Sequence, residues 1–199
     1  YDININDGEI RVTSTDDSIN VAGSSSTETA NGSSGGWGGG GMNGTPGGQL
    51  TVNGGTLMIT TINGDSLDAN GNLVVNGGLI LVNGTTSNGN GAMDVDGVFQ
   101  INGGTMLVVG SSGMAISPDS SSTQNTVMIT MSGGVSGSPI QISNAETGES
   151  LMVFVPTTDW STLYFSSPEL VTGQTYNVSL GGSVSGDEVF GYYPNGEVS

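Results

Sequence analysis

The chain has 199 residues, 36 of them Gly, with no Cys, no His and one side-chain cation, Arg11, against 18 Asp and Glu, a formal charge of −17 at pH 7. Nucleic acid is excluded as a partner, because phosphates are held by Lys and Arg. Zinc, copper, iron–sulfur and haem centres, which rest on His or Cys, are excluded with it, as is Ser–His–Asp, Cys–His or lysine-base catalysis.

What remains is oxygen chemistry: carboxylates, amides, hydroxyls and the hard cations they bind. The length suits one domain, or one with a small appendage. No apolar run is long enough to span a bilayer, so membrane insertion is not expected. A start at Tyr1 with no basic or apolar leader is the expectation for a mature, exported chain.

In chain order, Ile3 to Val12 opens with apolar-x-apolar, then Asn6 and a pair containing Gly, then apolar-x-apolar again. The frame returns at Leu50–Ile59, Leu73–Val82 and Phe99–Val108, with Asn53, Asn76 and Asn102 at the phase of Asn6. The spacing is 23 residues from Asn53 to Asn76 and 26 from Asn76 to Asn102; the 47 from Asn6 to Asn53 is one period plus an insertion. That insertion, 24–49, is nearly all Gly, Ser, Thr and Asn, a flexible-loop composition. A second element keeps the same phase. Asp17-Ser18-Ile19-Asn20-Val21 matches Asp65-Ser66-Leu67-Asp68-Ala69, and Gly91–Val95 and Ser112–Ile116 are weaker copies. Asn70-Gly71 and Asp96-Gly97 supply corners, where Asx and Gly tolerate positive φ.

Each period therefore holds about three short strands, and no segment carries a helical period. Strands that recur in a fixed frame without hairpin turns predict an all-β chain, a right-handed parallel β-helix solenoid over 1–122. A β-sandwich is the rival, but its strands would not repeat in this order. Residues at equal phase stack about 4.8 Å apart, so the four asparagines are expected to form a structural amide ladder. From Thr123 the frame fades into a smaller, more antiparallel β region, 123–199, packed on the last coils. Its strands are expected at Val127–Met131, Leu151–Val155, Thr162–Phe165 and Thr175–Leu180, with a hairpin turn at Ala145–Gly148. Trp160, Tyr164 and Phe165 read as its core, the alternative being a sugar platform.

Asp68 and Asp94 share one phase with Asn20, and they alternate with apolar residues that take the core side. Asp17 and Asp65 share another, with Asp16 beside them; Asn70 and Asp96 share a third. Two carboxylates about 5 Å apart repel by roughly 3 kcal/mol at an effective dielectric near 20. A bound cation relieves such a row, and Ca²⁺, with six to eight oxygens in flexible geometry, suits it better than Mg²⁺. The candidate ligands are Asp16, Asp17, Asn20, Asp65, Asp68, Asn70, Asp94 and Asp96. The plainer alternative is a solvated acidic face that aids solubility.

The stretches Asp16–Gly23, Gly64–Gly71, Asn88–Gly97, Gly110–Ala115 and Ser167–Tyr176 resemble a bacterial family. These are secreted, calcium-binding, polygalacturonate-binding β-helix proteins of the carbohydrate-binding domain type, similar in fold to pectate lyases. The glycine-rich insertion after the first acidic motif is also family-like. The resemblance covers most of residues 3 to 182 and implies calcium held by acidic side chains between coils. Two positions depart from it: Ala22 stands where an acidic residue is common, and Gly91 stands at the Asp17 phase.

A lyase needs a base and cations against an enolate, and Arg11 lies outside the acidic motif. A glycosidase needs two carboxylates with separated pKa values, and nothing in the sequence singles out an acid. The expectation is a non-catalytic, calcium-binding extracellular structural protein that self-assembles head-to-tail into a fibre. Strand-like sequence begins at Ile3, with no segment before it to cap a solenoid end. A head-to-tail contact need not close, and the aromatic tail Val189–Tyr193 is a candidate strand for it. The alternative is a calcium-dependent module for acidic polysaccharide, polygalacturonate in particular.

Overall fold

The computed structural model describes residues 1–22 and 47–199. The insertion expected over 24–49 lies outside the described residues apart from 47–49. The described chain is all-β, and no helix in it is long and apolar enough to cross a membrane.

Its first eleven strands are β1 (Ile3–Ile5), β2 (Glu9–Ser14), β3 (Ile19–Val21), β4 (Leu50–Val52), β5 (Thr56–Thr61), β6 (Leu67–Ala69), β7 (Leu73–Val75), β8 (Leu79–Asn83), β9 (Met93–Val95), β10 (Phe99–Ile101) and β11 (Thr105–Gly110). They sort by phase into three parallel groupings. These are β1-β4-β7-β10, β2-β5-β8-β11 and β3-β6-β9, with every third strand of the chain a hydrogen-bonded neighbour. Register follows the repeat. Ile5 pairs with Val52, Val52 with Val75, and Val75 with Ile101, as Val12 does with Ile59, Val82 and Val108 in turn. These columns meet in one apolar core that also takes Ile19, Leu67 and Met93.

The corners explain the Asn-Gly-Gly signature. Gly55, Gly78 and Gly104 have φ near +85°, between +81° and +90°, where a side chain is strained. The glycine before each of them leaves no room for a Cβ: at Gly77 it would lie 2.7 Å from the Asn53 carbonyl oxygen. The asparagines form the expected ladder. Asn53 Nδ2 donates to Asn6 Oδ1 (2.8 Å), Asn76 to Asn53 (2.9 Å) and Asn102 to Asn76 (3.0 Å). Thr123 ends the row by donating to Asn102 Oδ1.

The later strands are β12 (Thr126–Gly134), β13 (Ile140–Asn144), β14 (Ser150–Phe154), β15 (Trp160–Ser166), β16 (Tyr176–Leu180), β17 (Val184–Ser185) and β18 (Glu197–Val198). β15 pairs antiparallel with β11, and β12 antiparallel with β15, so both extend the second grouping to a six-stranded sheet. β14-β13-β16 is a separate antiparallel sheet, its first two strands joined through the turn expected at Ala145–Gly148. Of the strands in this region only β13 has no counterpart in the expectation, apart from the two-residue β17 and β18. Its alternating Ile140 and Ile142 are both fully buried.

Strands buried on both faces carry near-continuous apolar runs, because neither face meets water. Leu57-Met58-Ile59, Ile80-Leu81-Val82 and Met106-Leu107-Val108-Val109 are such runs. Met58, Leu81 and Leu107, on the outer face, join a second core with Ile140, Ile142, Met152, Phe154, Leu163 and Phe165. The antiparallel sheet thus covers the six-stranded sheet from outside, back as far as β5. Trp160 and Phe165 are buried in this second core as expected, whereas Tyr164 is buried in the first core with the repeat strands, and no sugar platform is made of them. The fourth copy of the acidic element, Ser112–Ile116, is not a strand. It turns at Gly113, and Ala115 and Ile116 pack against the end of the first core.

Candidate functional site

β3, β6 and β9 are three residues each, too short for more than one outward side chain apiece. Ile19 and Val21, Leu67 and Ala69, and Met93 and Val95 take the inward positions, so Asn20, Asp68 and Asp94 face out. Register pairs Asn20 with Asp68 and Asp68 with Asp94, the row anticipated from the repeat. Asn20 Nδ2 donates to Asp68 Oδ2 at 2.6 Å and to Asp17 Oδ2 at 2.9 Å, tying two phases together.

Asp17 and Asp65 behave differently from simple outward ligands. Asp17 Oδ1 accepts the Asp65 N–H at 2.9 Å, and Asp65 Oδ1 accepts the Gly91 N–H at 2.5 Å. Each carboxylate staples the corner of its own repeat to the backbone of the next repeat. The sequence reading missed this role, though one signal for it was present. The run of aspartates at this phase stops at Gly91, the last N–H to be accepted.

The remaining candidates surround this group. Asp16 is exposed at the turn before β3, its backbone held by the Ser14 hydroxyl (Asp16 N–H to Oγ, 3.1 Å). Asn70 and Asp96 follow β6 and β9 and are exposed. Their N–H groups donate to Val21 O and Ala69 O, so both sit at the equivalent corner.

Burial is the largest influence on the row, and together with the neighbouring carboxylates it raises Asp68 to about 6 from an ordinary 3.8. The charges of Asp17, Asp94, Asp65 and Asp96 add to it in that order. Asp94 is raised by burial and then by Asp96 and Asp17. Asp65 is raised by burial and by Asp94, Asp17 and Asp16, against the opposing Gly91 N–H. These mutual influences mark Asp16, Asp17, Asp65, Asp68, Asp94 and Asp96 as one electrostatic unit. Yet among the described residues no group of three or more His, Cys, Asp and Glu side chains is gathered closely enough to hold a metal ion.

A cavity of about 260 Å³ lies elsewhere, lined by Glu9, Arg11, Met58, Glu188, Val189 and Phe190. Arg11 occupies the place in β2 that Met58, Leu81 and Leu107 hold in β5, β8 and β11. It lies over the Phe190 ring, 5.4 Å from the centroid, and 3.6 Å from Met58 Sδ. Comparison with protein-family models, with curated proteins and with solved structures returns no match.

Proposed function

We propose that this chain is a right-handed parallel β-helix that binds calcium along its β3-β6-β9 face and serves, without catalysis, as an extracellular structural protein assembling head-to-tail into a fibre. One observation carries the reading. Carboxylates lie in register on successive parallel strands, Asp68 beside Asp94, where burial first and the neighbouring carboxylates second raise Asp68 to about 6, while the chain's one side-chain cation belongs to a different sheet.

Three parallel groupings visited in strict rotation support the β-helix reading, each circuit being one coil, with the right hand that parallel crossovers adopt in about 98% of cases. The donor set is all oxygen and strongly anionic, the chemistry of a calcium site. Asn20 Nδ2, which now bridges Asp17 and Asp68, relieves the row only in part, because an amide carries no net charge. A divalent ion taken between Asp65, Asp68 and Asp94 supplies the missing charge and draws the side chains closer. Sites of this sparse kind fall in the range of extracellular modules, Kd about 10⁻⁴ to 10⁻³ M. The cavity beside Arg11, lined by Glu9 and Glu188 among others, is separate from the β3-β6-β9 aspartates.

Calorimetric titration with Ca²⁺, followed by negative-stain microscopy with and without EDTA, tests both halves. Calcium uptake that is lost when Asp68 and Asp94 are changed together to Asn, and that survives Asp159→Asn, supports the site. No uptake at millimolar calcium removes it. The alternative of polyuronide binding draws on the exposure of Asp96 beside half-buried Asp94. A calcium bound there keeps open positions for a uronate carboxylate, and calcium-dependent retention of monomers on polygalacturonate would favour that reading.

A further inference from the structure

We propose that the head-to-tail contact is made on the six-stranded sheet, with β2 of one copy forming a parallel ladder against β12 of a second copy. This rests on the fibre reading above and specifies its interface.

The strand directions carry the argument. β2, β5, β8 and β11 are parallel; β15 reverses against β11, and β12 reverses again against β15. Two reversals leave β12 pointing the same way as β2. A second copy displaced along the stack therefore brings its β2 beside β12 in the parallel sense already used throughout the sheet. Among the described residues nothing pairs with the outer edge of β2 or of β12, which are the two ends of the strand order. The core columns also match. Val12, Ile59, Val82 and Val108 continue through Tyr164 to Met128, so the junction places Val12 beside Met128. Both residues are half-buried at opposite ends of the same core.

β10 is closed at the far end by backbone bonds from Asp119 N–H to Phe99 O (2.6 Å) and Gln124 N–H to Ile101 O (3.1 Å). At the near end the first coil is not a site for one more regular coil. Gly54, Gly77 and Gly103 each lie so near the preceding Asn carbonyl that a Cβ would approach within 2.5 to 2.7 Å. The same position in the first coil is Asp7, whose carboxylate accepts the Gly8 N–H at 2.7 Å. A stack built coil on coil at that corner is blocked, and strand addition at β2 is not.

Thr56 N–H to Gly8 O and Ile62 N–H to Ser14 O frame the β2–β5 ladder. Alternation then turns the N–H groups of Glu9, Arg11 and Thr13 to the open edge. Proline is tolerated on an edge strand where its missing N–H faces outward, so Thr13→Pro removes a donor from the junction and leaves the β5 ladder intact.

The expected result is that T13P melts cooperatively, forms no filaments in calcium, and shortens wild-type filaments in proportion to the amount added. Shortening is the informative readout, because an unfolded variant cannot cap a growing end through an intact β12. Wild-type filaments with T13P assembling equally well would overturn the β2–β12 junction and leave the fibre reading standing. A wild-type chain that stays monomeric with and without calcium would end both. Slow hydrogen exchange at Glu9, Arg11 and Thr13 in that monomer would assign the edge to another segment of the same chain.

Discussion

The raised pKa of Asp68 predicts that the calcium-free protein is more stable in mild acid than at neutral pH, the reverse of common acid denaturation. Its folded pKa is raised from 3.8 to about 6, so the folded state binds the proton more tightly than the unfolded state. The stabilisation is complete below about 3.8, and it is lost as pH rises through about 6. Taken whole, that shift corresponds to about 3 kcal/mol. Asp68 is only half-buried, and solvent screening reduces the effect to about 1 kcal/mol. Asp65 and Asp94 are raised too and act in the same direction. For a chain of this size each kcal/mol moves Tm by about 2–4 °C. Asp119 is lowered by its bonds to Ser121 and acts oppositely, but only as pH falls below the ordinary carboxylate range. Thermal melts in EDTA between pH 4.5 and 7.5 should show Tm falling by a few degrees. The slope should be shallower in Asp68→Asn, and Ca²⁺ should restore the neutral-pH Tm of the wild type more than that of the variant. A wild-type Tm that climbs steadily to pH 7, in parallel with D68N, would refute the electrostatic reasoning and weaken the case for calcium.

Gly77→Ala brings a Cβ to 2.7 Å from the Asn53 carbonyl oxygen, and overpacking of that kind costs about 1–3 kcal/mol. Gly8→Ala meets nothing within 4 Å and bears only the strain of φ +96°, so denaturant midpoints should rank G77A below G8A. Asn76→Ala deletes two rungs of the asparagine ladder and should lose about 1 kcal/mol, given the exposure of that row. Asn76→Asp sets an acceptor against Asn53 Oδ1 and should lose more at pH 7 than at pH 4, as urea titrations at the two pH values will show. Arg11→Ala removes the contacts with Phe190 and Met58 Sδ, worth about 1 kcal/mol. Limited proteolysis should then cut the tail around Phe190 faster, while calcium uptake at the β3-β6-β9 face is unchanged.

The parallel strands were legible because each period repeats both its apolar columns and its corner chemistry. Asn-Gly-Gly at three corners states where the chain turns and how closely successive coils approach, since the crowded glycine at 54, 77 and 103 admits no Cβ. The exception at Asp7 was visible in the same repeat, but its meaning depends on which strands lie beside it, and only the fold shows that β1 and β2 end their strand orders among the described residues. Leu57–Ile59, Ile80–Val82 and Met106–Val109 are continuous apolar runs whose meaning, a sheet covered on both faces, went unread beside the apolar-x-apolar frame. What covers it could not be read, because β13 is a short strand without a repeat partner and its pairing with both β14 and β16 is a tertiary choice. The acidic row was legible as a row. Its division of labour was not, because Asp17 and Asp65 differ from Asp68 and Asp94 only in whether a backbone N–H of the next coil comes within reach. That difference bears on the chemistry: a carboxylate oxygen already accepting a backbone donor is a stapling group first, with its second oxygen left for an ion. On the calcium reading the row therefore rests first on Asp68 and Asp94, which burial and neighbouring carboxylates raise without the opposing backbone hydrogen bond that Asp65 accepts.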